Sequence, residues 1–338
     1  MDPVPKPKVT LTSSLISTQD IRQQRPSVER PLPGDLPLQV LEEWEAVDAT
    51  GQTAHVTTIF LRGSECRFTC LMCDLWRHTH QSATAPGAIP AQIASVVNSA
   101  SQFMGLSETH ARWVKLYNAA SFFDSQNIPP SDLSRIAPLL AQFGRVIVEN
   151  HPCLLPWSRI RQFQAEITGR LEIAMGLETV EPQILQRLNK RMRIEDFSKA
   201  VKECQQHNVD VRAFVLLQLP WLAPAEALAW CCRSIDTAIQ LGVRHVSVIP
   251  MRSGNGAMDT LAQQGFFEVP RAAALEKIMQ EYWACTDSLV TVDTWDWTQL
   301  AGLCAECSMK RRQRLVQMNT SRKWLEPISC AKCHEQLS

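Results

Sequence analysis

The sequence predicts an α/β protein, a partial (β/α)6 barrel followed by a small C-terminal segment whose four cysteines suit a metal. Three observations carry that prediction. Six short, continuously apolar runs alternate with stretches in which apolar residues recur every three or four positions, the pattern of parallel strands covered by helices. Glycine or proline closes several of the runs, as at Gly176, Pro220 and Pro250. Beyond the last run lie two C-x2-C pairs, Cys304 with Cys307 and Cys330 with Cys333. The length allows such a fold, because 338 residues with 45% hydrophobic side chains can bury a sizeable core.

Three regions follow. Residues 1–37 hold seven prolines among Ser, Thr, Gln and Arg, and are expected to be a disordered tail. Residues 38–265 form the barrel, and residues 266–338 a helical segment ending in a four-cysteine, zinc-ribbon-like element. In chain order, Leu38 to Val47 reads as a short helix or an edge element, and Val56 to Leu61 as the first strand. Ile89 to Met104 is helical, Trp113 to Tyr117 the second strand, Pro130 to Phe143 a helix capped by Gly144, and Arg145 to Val148 the third strand. Ile160 to Ile167 is helical, and Leu171 to Met175 is the fourth strand, broken by Gly176. Pro182 to Leu188 and Ile194 to His207 are helices, Val211 to Leu217 the fifth strand, Ala223 to Leu241 a long helix, and His245 to Ile249 the sixth strand. Strands alternating with helices imply right-handed parallel crossovers, with chemistry at the C-terminal ends of the strands.

Composition narrows the function classes. The formal net charge is zero, from 34 basic and 34 acidic side chains, so global charge does not announce a nucleic-acid partner. No apolar run is long enough to span a bilayer, and Met1 to Pro7 lacks the pattern of a secretory signal, so the expectation is a cytoplasmic protein with no membrane partner. Twelve cysteines in a reducing compartment argue for metal and thiol chemistry rather than disulfides.

The chemistry is concentrated in Cys66-Arg67-Phe68-Thr69-Cys70-Leu71-Met72-Cys73, just after the first strand and the turn residues Gly63-Ser64. Three thiolates at C-x3-C-x2-C spacing within one loop can hold three irons of a four-iron, four-sulfur (4Fe-4S) cluster and leave the fourth open to a small molecule. A zinc site or three ordinary buried thiols would be the plainer alternatives, but zinc knuckles usually use pairs. The spacing resembles the signature of the radical S-adenosylmethionine (radical SAM) superfamily, in which SAM chelates the open iron. That resemblance implies a partial TIM-like barrel of the radical SAM type. It also implies a reductant protein, and reductive cleavage of SAM to a 5′-deoxyadenosyl radical that abstracts hydrogen from a substrate.

Further segments resemble the radical SAM subunit of archaeal archaeosine synthase and the class containing the elongator catalytic subunit. They are Asn118 to Asp124, Gly176 to Thr179 with Arg187-Leu188-Asn189-Lys190, Phe214 to Leu222, and Val246 to Pro250. By that resemblance Cys66, Cys70 and Cys73 hold the cluster, Asn118, Ala119, Ala120 and Ser121 lie along the methionine part of SAM, and Glu178 lies near its ribose. Ala119 and Ala120 stand where family members tend to carry glycine or a small hydroxyl residue, which bears on the substrate more than on the radical chemistry. The resemblance implies a modified nucleoside, in tRNA, as substrate. A small metabolite or peptide is the alternative, with the C-terminal cysteines holding an auxiliary cluster.

Cys304, Cys307, Cys330 and Cys333 match zinc-ribbon spacing, with 22 residues between the pairs, and four thiolates suit either zinc or a second iron-sulfur cluster. Cys330 to His334 also spells C-x-x-C-H, but the haem reading lacks an export signal. Between the pairs, Lys310, Arg311, Arg312, Arg314, Arg322 and Lys323 stand beside Trp324 with no acidic residue from Ser308 to Leu325. Such a stretch serves either as a solvated helical face or as a track for a phosphate backbone. Cys153, Cys204, Cys231, Cys232 and Cys285 lack ligand spacing and read as small buried apolar residues, with a place facing the barrel mouth as the alternative for Cys153, which follows the third strand.

Overall fold

The computed structural model describes residues 16–30, 34–98 and 111–332. The elements are α1 (Thr18–Gln24), β1 (Gln39–Ala46), β2 (Thr53–Leu61), α2 (Ala88–Val97), β3 (Ala111–Asn118), α3 (Pro130–Ile136), β4 (Arg145–Glu149), α4 (Trp157–Glu166) and β5 (Arg170–Glu178). They continue with α5 (Pro182–Arg187), α6 (Ile194–Gln206), β6 (Asp210–Leu217), α7 (Pro224–Gln240), β7 (His245–Pro250), α8 (Ala257–Gln263), α9 (Ala272–Tyr282), β8 (Leu289–Val292) and α10 (Ser308–Ser321). Among the described residues the strands form one eight-stranded sheet in sequential order, antiparallel between β1 and β2 and parallel from β2 to β8.

Strand alternation separates two environments. Outward residues such as Ile59, Leu61, Val114, Leu116, Ile173 and Met175 pack against helix residues including Phe163, Phe197 and Ile235, which makes the main core. Inward residues Ala54, Val56, Trp113, Tyr117, Ile147 and Ala174 form a second cluster within the curl of the sheet. Between its lower members Ala54, Val56 and Trp113 and the ring of Tyr117 above them lies a buried ionic floor. Lys115 contacts Glu43 and Glu45 at 2.6 and 2.5 Å, and Arg212 grips Glu45 with two bonds of 3.0 and 2.9 Å and Glu172 at 2.8 Å. Arg145 and Arg244 add contacts to Glu172 at 2.8 and 3.3 Å. Burial opposes the charge of Glu172, yet Arg244, Arg212 and Arg145 together hold its carboxyl down at about 2.

Several expectations are corrected. Residues 16–30, assigned to the disordered tail, include α1: Ser17 caps the helix with Asp20, Ile16 and Ile21 are buried beside Leu71, Met258 and Leu261, and Arg25 and Arg30 both bind Glu65 at 2.7 Å. Two apolar anchors and one shared carboxylate outweigh the proline content. The rest of 1–37 is described only from 34 onward, and residues 99–104 of the helix expected over Ile89 to Met104 lie outside the described residues. Of the two readings of the segment after Leu38, the edge element holds: β1 is an edge strand of the sheet, with Glu43 and Glu45 facing inward to Lys115 and Arg212, partners that local sequence cannot reveal. Gly176 does not end β5; the strand runs on to Glu178 with a register shift at that point. The boundary at residue 265 falls inside the sheet, since β8 pairs with β7. Cys153 is exposed rather than buried, and Cys232 and Cys285 are half-buried.

The two edges of the sheet, β1 and β8, are bridged by α10, which packs against both. Side chains substitute for a neighbouring strand there. Asn319 accepts from the Val292 amide (3.1 Å) and donates to its carbonyl (2.8 Å), and Arg322 donates to the Val290 carbonyl (2.9 Å).

Candidate active site and C-terminal metal site

Cys66, Cys70 and Cys73 stand on the loop after β2, at the C-terminal end of the parallel sheet. Gly63 is required at the loop entry, because a Cβ there would run into the Asn127 side-chain oxygen. The loop is pinned from three directions. Leu71 donates its amide to the Leu188 carbonyl (2.8 Å), Asn255 donates to the Leu71 carbonyl (2.7 Å), and Asn189 donates to the Thr69 carbonyl (2.7 Å). Arg67 clamps Asp124 with two bonds of 2.7 and 2.6 Å, and Phe68 stacks on His151 with centroids 3.6 Å apart. Burial pushes the thiol of Cys66 up to about 11 and those of Cys70 and Cys73 to about 12, while Lys190 favours the thiolate forms of Cys66 and Cys70. Three half-buried thiols held on a pinned loop beside a cation form a donor set that an iron-sulfur cluster fits.

Lys190 and Glu178 form a buried ion pair next to that loop. Burial opposes the lysine's charge, but Glu178 and Cys70 raise its pKa above the ordinary value. The geometry needs Gly176, whose added Cβ would collide with both the Glu178 carboxylate and the Lys190 ammonium. Positive φ values at Glu178 (63°), Asn189 (51°) and Arg191 (55°) mark strained backbone around this pair, and Asn189 and Arg191 both donate to the Thr18 hydroxyl of α1 at 3.2 and 2.7 Å. His151 is neutral, because burial and then the Lys190 charge depress its pKa to about 3. Its Nε2 meets the Lys190 carbonyl at 2.9 Å and its Nδ1 accepts from the Cys153 amide at 3.1 Å, which fixes the Nε2-protonated tautomer.

Of the residues expected along SAM, Asn118 is the most telling. Its backbone amide donates to Glu149 at 3.1 Å, whereas both side-chain amide atoms are buried without a partner among the described residues. A buried amide left open in this way is costly unless a ligand completes it, so the cradle fits a polar cofactor. Ala119 and Ala120 bring the backbone past it, and Ser121 Oγ accepts from the His151 amide at 3.0 Å. Glu178, expected near the ribose, is paired with Lys190. Sequence reasoning missed Lys190, His151 and Glu149 as site residues. Lys190 was visible only as part of a matched segment, and the other two lie where strand β4 ends, without a motif. Burial raises the half-buried carboxyl of Glu149 to about 8.

At the C-terminus Cys304, Cys307 and Cys330 converge, with sulfurs all within 4.8 Å of one another and 3.9 Å between Cys304 and Cys330. Cys333 lies outside the described residues. Of the basic residues between the pairs, Arg311 is buried against Glu276 (2.6 and 3.1 Å), Arg314 is buried and bonds the Leu325 carbonyl (2.8 Å), and Arg322 is buried under β8. Lys310 and Lys323 are exposed.

No protein-family profile matches the chain. An uncharacterized protein of Methanocaldococcus jannaschii, MJ0550, is 22% identical over 234 residues, covering 66% of this chain and 63% of the relative, so the match spans less than two thirds of that protein. Among solved structures, methylornithine synthase (PylB) superposes with a TM-score of 0.52 at 11% identity over 93% of this chain and 83% of its own. Elp3 of Methanocaldococcus infernus superposes with a TM-score of 0.50 at 12% identity, over 69% and 61%. The chain has the α/β half-barrel fold of the radical SAM enzymes, with its C-x3-C-x2-C loop at the mouth.

Proposed function

We propose that the protein is a radical SAM enzyme, and one observation carries the reading: three cysteines at the superfamily spacing are pinned on the loop after β2, and the unpartnered Asn118 amide ends the adjacent strand β3. Cys66, Cys70 and Cys73 would hold the cluster, and Asn118 to Ser121 the methionine part of SAM. Bound there, cluster and SAM supply a carbon radical able to take hydrogen from a substrate. The chain's own residues do the rest. Lys190 offsets the thiolate charge, His151 and Phe68 stack to fix the loop, and the half-barrel wall keeps water from the reacting atoms. A reductant protein must deliver the electron, and a reducing, cytoplasmic compartment suits so many free thiols.

A modified nucleoside, in tRNA, is the substrate class supported by the sequence resemblance. The internal bonding of Arg311, Arg314 and Arg322 favours the second reading, a small substrate enclosed in the barrel, because it removes half of the basic stretch from any RNA track. At the C-terminal site zinc is the better occupant. Four thiolates around one ion with bonds of about 2.3 Å lie about 3.8 Å apart, which matches the 3.9 Å between Cys304 and Cys330. A four-iron cluster would spread them over separate irons.

The test is anaerobic purification, metal analysis and incubation with SAM and dithionite. About four irons and one zinc per chain, with 5′-deoxyadenosine formed, is the expected result. Iron-loaded protein that leaves SAM intact would overturn the reading.

A further inference from the structure

The upper part of the barrel interior is open. Phe60 on β2 and Phe214 on β6 point inward and are only half-buried, although their outward neighbours Ile59, Leu61, Val215 and Leu217 are buried. In a filled barrel an inward phenylalanine on a central strand would be as enclosed as those neighbours, so space lies above both rings. The rings are linked. Trp295 meets Phe60 edge-on at 5.7 Å, Phe60 meets Tyr117 at 6.2 Å, and Tyr117 meets Phe214 at 6.1 Å. This aromatic layer lies above the ionic floor of the barrel, and its outermost member, Trp295, is 46% exposed at the rim.

Beside the layer the mouth carries unbalanced acid. Asp293, directly after β8, accepts from the Trp295 amide at 2.8 Å and has no ion-pair partner among the described residues. Asp74 and Asp296 share the single cation Arg252. Burial, and after it Asp296 and Glu43, lift the carboxyl of Asp293 above its usual range even though the Trp295 amide and Arg252 act against them, a cost that a cation placed directly beside it would relieve.

We propose that this mouth is the substrate site and takes a flat ring system bearing a positively charged nitrogen, with the ring against Trp295 and Phe60 and the cation at Asp293. Aromatic faces attract both flat rings and cations, and the neighbouring carboxylate selects for positive charge. Calling the ligand a substrate rests on the radical SAM reading; the binding preference itself does not.

The test is calorimetric titration of the full-length, metal-loaded protein with three probes. Tryptamine has the ring and the charge, indole-3-propionate has the ring with the opposite charge, and 2-cyclohexylethylamine has the charge without the flat ring. Tryptamine should bind about tenfold tighter than either of the others. Asp293→Asn should abolish the preference for tryptamine over the propionate. Trp295→Ala should weaken tryptamine about tenfold, and Trp295→Phe should restore most of the loss, which separates a ring contact from a folding defect. Equal binding of the three probes, or unchanged preference in Asp293→Asn, would overturn the proposal. SAM cleavage is read separately. Cleavage without a probe preference sinks this site alone, whereas the preference without cleavage keeps the site and sinks the radical reading.

Discussion

Glu149→Gln should stabilise the protein at high pH and leave it unchanged at low pH. Glu149 ends β4 facing the mouth, and burial raises its carboxyl to about 8. In the unfolded chain a glutamate ionises near ~4.3. Between those two values the folded state keeps a proton that the unfolded state has released. Stability therefore falls as pH rises through the window, by at most ~1.4 kcal/mol per pH unit, and levels off above the folded value. Taken whole, the shift is worth ~5 kcal/mol at pH 8. The carboxyl is only half-buried and Lys190 partly offsets its charge, so ~2 kcal/mol is the expected share. Glutamine cannot ionise and still offers an oxygen to the Asn118 amide. Urea unfolding of the anaerobic apoprotein should find the variant ~2 kcal/mol more stable at pH 8 and within ~0.5 kcal/mol of the parent at pH 4. An equal difference at both pH values would refute the reasoning, since an uncharged packing effect has no pH dependence.

Three other perturbations test the frame around the site. Arg212→Met removes the cation shared by Glu45 and Glu172, which keep Lys115 on one and Arg145 and Arg244 on the other, and should cost about 3 kcal/mol in urea unfolding; a loss under ~1 kcal/mol would mean that the floor does not depend on Arg212. Gly176→Ala forces a methyl group into the Glu178–Lys190 pair and should destabilise the fold by ~1–3 kcal/mol, whereas an unchanged midpoint would show that the pair moves aside freely. Replacing Cys304 and Cys330 together by serine should remove one zinc, leave iron content unchanged, and expose residues 304–332 to limited proteolysis, because Cys307 opens α10. Unaltered cleavage would separate the metal site from the helix that bridges β1 and β8.

The half-barrel was legible because parallel strands buried on both faces write themselves as short apolar runs, and because the three-cysteine loop needs only local spacing. What stayed hidden depends on partners distant in sequence. Glu43 and Glu45 read as a helical or edge stretch until Lys115 and Arg212 are placed opposite them, and α1 looked like tail until Glu65 and Leu71 are seen beneath it. β8 has four residues, too few for a periodic signal. Arg311, Arg314 and Arg322 carry the same charge as exposed arginines, and only their acceptors, Glu276 and the carbonyls of Leu325 and Val290, reveal that they are structural. Sequence alone could place cations on a helix; it could not say which face that helix buries.

The division of the barrel interior follows from the same long-range pairing. A lumen closed below by Lys115, Arg212 and their carboxylates cannot pass a ligand through, because separating those ions inside the protein would leave bare charges. Entry is therefore from the C-terminal mouth, the side that carries the cysteine loop, Asn118 and the half-buried rings of Phe60 and Phe214. The ionic floor thus does for this open half-barrel what packed side-chain layers do for a closed one: it blocks one end and confines chemistry to the other.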